Sequence, residues 1–212
     1  MTDFYEPIDD EHLLAGERCW DLRTERIYRA CGEPLDDCML QCRAELLELC
    51  GFIREKRIRS YLEIGIWTGR TVSALHRLFR FDLVAVCDHR WAEQCGLPIV
   101  VPEGTRAFWG DAGSEGFRQF RESLGPVDLV FIDANHSYRG VKRDFAINRA
   151  YPHRFLAFHD IAGSVARKTN GVAAFWRELD EGHKREISRP NAAIGAREPT
   201  MGIGLWSATE VP

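Results

Sequence analysis

The sequence predicts an α/β protein: a largely parallel sheet with helices on both faces. Three observations predict it. Short apolar runs alternate with segments of helical period, the runs are apolar at nearly every position, and polar residues collect just past their ends. A strand without polar alternation is covered on both faces, and successive parallel strands need crossover helices between them.

The elements follow in order. Residues 1 to about 35 are polar with scattered aromatics (Phe4, Tyr5, Trp20, Tyr28) and read as an extension with short helices. Over residues 36–57, Met39, Leu40, Leu46, Leu47, Cys50 and Ile53 recur at helical spacing and predict one amphipathic helix. Residues 61–64 form a first strand, residues 65–69 a glycine turn and residues 71–80 a helix with Leu75, Leu78 and Phe79 on one face. Residues 81–87 are a second strand ending in Asp88; residues 105–110 are a third, followed by a helix over 114–124. Residues 127–132 are a fourth strand ending in Asp133, with a helix over 138–151 behind it. Residues 155–158 are a fifth, ending in His159 and Asp160. A helix over 172–179 and two weaker strands, 185–188 and 202–207, complete the chain. The stretches 163–171 and 190–201 read as its mobile pieces.

The composition narrows the functional classes. A chain of 212 residues, 45% hydrophobic and 28% charged, suits one α/β domain with a modest extension. A net charge of −4 argues against a nucleic-acid partner, although a local basic patch stays open. No apolar run reaches membrane-spanning length, and the acidic N-terminus has no signal-peptide character, so the expected compartment is the cytoplasm. The seven cysteines include no C-x-x-C pair. Reduced, buried thiols are the better reading, with a zinc site around Cys38 and Cys42 the alternative.

In an open α/β sheet, ligands bind beyond the carboxyl ends of the strands. Asp88, Asp111, Asp133, His159 and Asp160 each fall at or just past such an end. Any single Asp there can be a turn or cap residue; five polar residues in succession suggest a site. Gly65-x-x-x-Gly69 joins the first strand to its helix, and its glycines permit a tight turn and close approach of backbone to a ligand. A dinucleotide loop wants a middle glycine, where this chain has Trp67. Glu63 precedes the loop, and an acid suits a ligand that carries an ammonium group. Asp88 is placed to accept both ribose hydroxyls, a device that NAD sites share. Asp111 is placed to accept from an adenine amino group, and Trp67 to pack beside the cofactor. Asn135 and Tyr138 read as part of the same mouth. Lys142, Arg143 and Asp144 read as a solvated helix face, or as an ion pair with a neighbouring turn.

These segments carry a resemblance. YLEIGIWTGRT resembles the first motif of class I S-adenosylmethionine (SAM)-dependent methyltransferases, in the form of the catechol-type O-methyltransferases. VDLVFIDANHSYRGVKRD, FHDI, GVAAFWREL and MGIGLWS are similar to a bacterial family of small class I methyltransferases. Its relatives include antibiotic-tailoring sugar O-methyltransferases and cephalosporin-hydroxylase-like proteins. The resemblance runs in order over residues 58–207. It implies a Rossmann-like, mostly parallel seven-stranded sheet whose last strand is antiparallel. Residues 1–57 would be an N-terminal helical extension or cap, and residues 58–212 the SAM-binding methyltransferase domain. The implied cofactor is SAM, bound by Glu63, Gly65, Trp67, Gly69, Asp88 and Asp111. The implied partner is a small-molecule acceptor, sugar-like or phenolic; a homo-oligomer stays open.

In metal-dependent relatives, the acid ending strand 4 and a pair ending strand 5 hold magnesium. Asp133, His159 and Asp160 occupy those places. His159 departs from the expected acid, and a donor set of one nitrogen and two carboxylates suits a transition metal better than magnesium. Its alternative is a satisfied core histidine. His136, three residues after Asp133, resembles the general base of the sugar-modifying relatives, and Asp133 and His136 are the catalytic candidates. The alternative for His136 is a helix cap or a solvated ring. Two other functions are weighed: an NAD-dependent oxidoreductase, disfavoured by the absent middle glycine, and a SAM-binding protein without catalysis. RNA methylation is disfavoured by the acidic balance.

Overall fold

The computed structural model describes residues 13–162 and 170–210. Helix α1 (Leu22–Cys31) and helix α2 (Arg43–Glu55) precede the sheet. Then come β1 (Ser60–Ile64), α3 (Arg70–Phe79), β2 (Leu83–Asp88), the short α4 (Trp91–Gln94) and β3 (Arg106–Trp109). They are followed by α5 (Glu115–Leu124), β4 (Val127–Ile132), α6 (Tyr138–Asn148), β5 (His153–His159) and α7 (Asn170–Glu178). β6 (His183–Ile187) and β7 (Ile203–Ser207) close the chain. The sheet order is β3-β2-β1-β4-β5-β7-β6. β1 to β5 pair in parallel, and β7 runs antiparallel to both β5 and β6. This is the implied seven-stranded, Rossmann-like sheet with an antiparallel last strand.

The pleat sends alternate side chains to two separate cores, so the strands read as unbroken apolar runs. Tyr61, Val84, Val86, Leu129, Phe131, Phe155 and Ala157 face a core shared with α2, α3 and Leu13, Leu14 and Cys19 of the N-terminal segment. Leu62, Ile64, Ala85, Cys87, Val130, Ile132, Leu156 and Phe158 face a second core with α5, α6 and α7. Local chemistry sets the helix starts: Asp21, Ser114 and Ser137 each accept a backbone N–H of the first turn of α1, α5 and α6.

The expected helix over 36–57 is shorter than its pattern. It begins at Arg43, after an extended Cys42 (φ −72°, ψ 122°). Residues 36–42 are irregular because tertiary contacts claim their backbone: Met39 N–H donates to Arg18 O (2.9 Å) and Gln41 O accepts from Trp20 N–H (3.1 Å). Met39 is buried there, so its apolarity reports burial rather than helix. Of the expected mobile pieces, residues 163–169 lie outside the described residues. Residues 190–201 carry a Pro190–Pro199 bridge and a 3₁₀ turn at Ala192–Ile194.

Candidate active site

All five parallel strands point their carboxyl ends to one edge, and the order reverses between β1 and β4. At that switch point Gly65 N–H donates to Cys87 O and Asp133 N–H to Ile64 O, both at 2.8 Å. A cavity of about 800 Å³ opens there. Every predicted site residue except Gly69 lines it: Glu63, Gly65, Trp67, Asp88, Asp111, Asp133, His136, His159 and Asp160. A cleft at the switch point is where α/β sheets take ligands.

The loop glycines serve protein packing as much as ligand access. Gly65 has φ +84°, and a Cβ on it would stand 2.2 Å from Asp133 O. Gly69 has φ +79°, with Val100 O at the same distance from a notional Cβ. Each glycine therefore lets another backbone segment approach the loop. Trp67, at φ +52°, donates its indole N–H to Asp36 O (3.3 Å), which ties the loop to the N-terminal segment.

Asp88 accepts from Ile66 N–H (2.9 Å) and Trp91 N–H (3.1 Å), so it shapes the loop and starts α4 as well as facing the cavity. Glu63 is buried, accepts from the Tyr61 hydroxyl at 2.8 Å, and its carboxyl is pushed well above the usual range, first by burial. Asp111 accepts from Gly113 N–H (2.8 Å) and Arg143 (3.0 Å), contacts that hold its carboxyl below the usual range against a smaller opposing effect of burial. The Arg143–Asp111 pair is the expected ion pair with a neighbouring turn; Arg143 also meets Asp144 at 3.1 Å, and Asp144 is buried and not part of a solvated face. Asn135 lines the cavity, whereas the Tyr138 hydroxyl turns to Glu178 at 2.6 Å.

The other half of the cavity is a cluster of charges. His136 Nε2 stands 3.2 Å from both Asp133 Oδ1 and Asp160 Oδ2. His159 Nδ1 is 3.1 Å from Asp133 Oδ2 and 3.7 Å from Asp160 Oδ1. Asp160 holds φ +65°, a backbone strain of the kind found at functional sites. Burial opposes charge on both rings, but the carboxylates outweigh it and lift His136 to about 10 and His159 to about 9. Burial likewise raises the Asp133 carboxyl, and the two histidines overcome this and bring it to about 2. His136 is thus no helix cap, since Ser137 fills that place, and its one-third-exposed ring is tied to two carboxylates. His159 is not a fully satisfied core histidine either, because its Nε2 is buried without a partner.

Asp133, His159 and Asp160 offer ligand atoms within 4.8 Å of one another, the one such group of metal-ligating side chains among the described residues. One imidazole nitrogen and two carboxylates fit a divalent transition ion. The cysteines form no such group: all seven are free thiols, five of them buried.

Two further residues at this edge carry no sequence signal. Gln41, from the N-terminal segment, donates Nε2–H to Asp133 Oδ2 at 3.1 Å. Glu45, fully buried in α2, accepts from Arg189 N–H (2.8 Å) and Gly202 N–H (2.9 Å), anchoring the approach to β7. Neither lies in a motif, and only the fold brings them here.

Residues 62–161 match a family model described as a methyltransferase domain. Solved structures share the fold. An O-methyltransferase from Bacillus cereus, in complex with SAH, has a TM-score of 0.55 at 15% identity, over 87% of this chain and 89% of its own. The O-methyltransferase TomG from Streptomyces achromogenes, involved in tomaymycin synthesis and solved with SAM, has a TM-score of 0.54 at 17% identity, over 87% and 88%. No curated protein matches the chain in sequence. The chain shares the fold of these two O-methyltransferases, and its central 100 residues match the methyltransferase-domain model. No helix among the described residues is long and apolar enough to cross a membrane.

Proposed function

We propose that this protein transfers the methyl group of SAM to a hydroxyl of a small molecule, sugar-like or phenolic. One observation carries the reading: a single cavity joins the glycine loop and Asp88 to the Asp133–His136–His159–Asp160 cluster. The first half suits the donor and the second the acceptor. Residues 58–212 act as the methyltransferase domain and residues 1–57 as its cap.

Gly65, Trp67, Gly69 and Glu63 shape the donor seat, Asp88 accepts the ribose hydroxyls and Asp111 the adenine amino group. The acceptor oxygen attacks the sulfonium methyl in line. The new O–C bond forms as the S–C bond breaks, S-adenosylhomocysteine leaves, and the hydroxyl proton passes to His136 in the fraction whose ring is neutral. Much of the rate comes from alignment. A divalent ion held by Asp133, His159 and Asp160 would lower the pKa of the acceptor hydroxyl. The two carboxylates that would ligate it are also those that keep the proton on His136. The ring can take up the acceptor's proton once their charge is offset.

The test is transfer of labelled methyl from SAM to a panel of phenols and sugars, with EDTA or with added divalent metal. His136→Ala should lower the rate about 10²- to 10⁴-fold while SAM affinity stays the same. Tight NADH binding without SAM binding would overturn the reading. Clear SAM binding with no turnover on any acceptor would leave a cofactor-binding protein without catalysis.

A further inference from the structure

Helix α7 grips the loop that carries His136. Gly171, Phe175 and Glu178 stand four and three residues apart, so they share one face of the helix. Each meets the loop. The Phe175 and Tyr138 rings pack edge to face at 6.3 Å, and the Tyr138 hydroxyl donates to Glu178 at 2.6 Å. Gly171 takes the third place, in the first turn, where the helix lies directly on the backbone of residues 136–138. A Cβ on it would stand 2.3 Å from Tyr138 N, 2.4 Å from His136 O and 2.6 Å from Ser137 C. Helix propensity does not account for a glycine here, since alanine is the better helix former. A positive φ does not either, because Gly171 has none. Close approach of the loop does.

The loop is clamped from its other side as well. Gly140, in the first turn of α6, leaves room for the Asn135 side chain: a Cβ there would be 2.2 Å from Asn135 Cγ. Asn135 Oδ1 accepts from Ser137 N–H at 3.0 Å, which folds the chain around His136. Of the two partners, α7 is the firmer. Its Val172, Phe175 and Trp176 are buried in the second core, and the Trp176 indole donates to Glu186 of β6 at 2.6 Å. Asn135 and Ser137 are exposed. A side chain at position 171 therefore displaces the loop rather than the helix. Ordinary contact needs about 3.5 Å, so the shift is about 1 Å. The His136 ring, whose Nε2 stands 3.2 Å from two carboxylates, moves with its backbone.

Resting on the methyl-transfer reading above, we infer that α7 is the buttress of the His136 loop and that Gly171 is a positioning residue for this base. Gly171 does not line the cavity, so it acts through His136 and not on cofactor or acceptor.

The experiment compares Gly171→Ala with the unaltered protein, each loaded with S-adenosylhomocysteine, by NMR of isotope-labelled histidine rings. The His136 signals are assigned by their loss in His136→Ala. Gly171→Ala should shift them, leave those of His76 and His153 in place, and leave S-adenosylhomocysteine affinity unchanged. On the panel of phenols and sugars, catechol and methyl glucoside among them, kcat should fall about 10²-fold with KM little changed, the cost of a misplacement of about 1 Å. In a His136→Ala background the same substitution should cost nothing further, whereas a merely structural glycine would slow both backgrounds alike. Gly51→Ala in α2, where nothing lies within 4 Å of the notional Cβ, should change neither signals nor rate. If Gly171→Ala does not fold, Glu178→Ala decides: it cuts the exposed tie to Tyr138 and should shift the same signals by less. His136 signals that stay in place, or equal losses of rate with and without His136, overturn the buttress. Shifted signals in a protein that methylates no acceptor support the buttress and count against methyl transfer. Methylation with unmoved signals does the reverse.

Discussion

The two halves of the cavity are held by different means. In the half proposed to take the methyl donor, backbone groups do the holding: Gly65 and Gly69 admit neighbouring backbone, and Asp88 collects the N–H groups of Ile66 and Trp91. In the half proposed to take the acceptor, side chains hold one another: two histidines bracket Asp133, and Gln41 reaches it from 92 residues away. A site fixed by local backbone is set by short stretches of sequence. A site fixed by convergent side chains depends on the whole fold.

The halves meet at Gly65, and the largest effect is expected there. Gly65→Ala places a Cβ 2.2 Å from Asp133 O at φ +84°. Strained backbone alone costs about 1–3 kcal/mol, and the clash adds to it by pushing the ends of β1 and β4 apart. We expect a loss of about 3 kcal/mol or more in urea unfolding, with both SAM binding and methyl transfer lost. Gly104→Ala is the control, because it shares a positive φ of +78° but has nothing within 4 Å of its notional Cβ. It should cost only about 1 kcal/mol, from the backbone alone. Equal losses in the two variants would mean that the contact between the halves is not what Gly65 provides.

This contrast decides how much the sequence revealed. The sheet was legible because burial on both faces writes unbroken apolar runs; β4, Val127–Ile132, matches its expected bounds. Asp88, Asp133, His159 and Asp160 were legible as polar stops to those runs. Residues 36–42 misled, because Met39 and Leu40 fall on the helical spacing but lie in an irregular segment, which Met39 and Gln41 tie by backbone bonds to residues 18 and 20. Gln41 was invisible: an isolated glutamine carries no pattern, and its partner is distant in the chain. The protonation of His136 was also out of reach, since a ring near neutrality was the natural expectation until Asp160 joined Asp133 beside it. The four-residue α4 is too short to show a period.

Within the donor half, Asp88 should matter next most. Asn at this position keeps one acceptor oxygen and turns an amide N–H₂ toward a backbone donor. Hydrogen bonds to a charged group are worth about 1.5–3 kcal/mol, so Asp88→Asn should weaken SAM about 10- to 100-fold. The transfer rate at saturating SAM should stay within a few-fold, because the acceptor cluster is untouched. An unchanged dissociation constant in calorimetry would remove Asp88 from the ribose.

Asp111 should show the smallest effect, and its surroundings say why. Its side chain is 47% exposed, and its oxygens already serve Gly113 N–H and the Arg143 guanidinium. An adenine amino group would add one further bond to an exposed, well-supplied carboxylate, and such contacts are worth less than about 1 kcal/mol. Asn keeps an acceptor for Gly113 N–H, so the turn before α5 survives the change. Asp111→Asn should therefore alter SAM affinity by less than about threefold. A loss above tenfold would show that Asp111 grips the cofactor as Asp88 does, and that side-chain charge as well as local backbone organises the donor half.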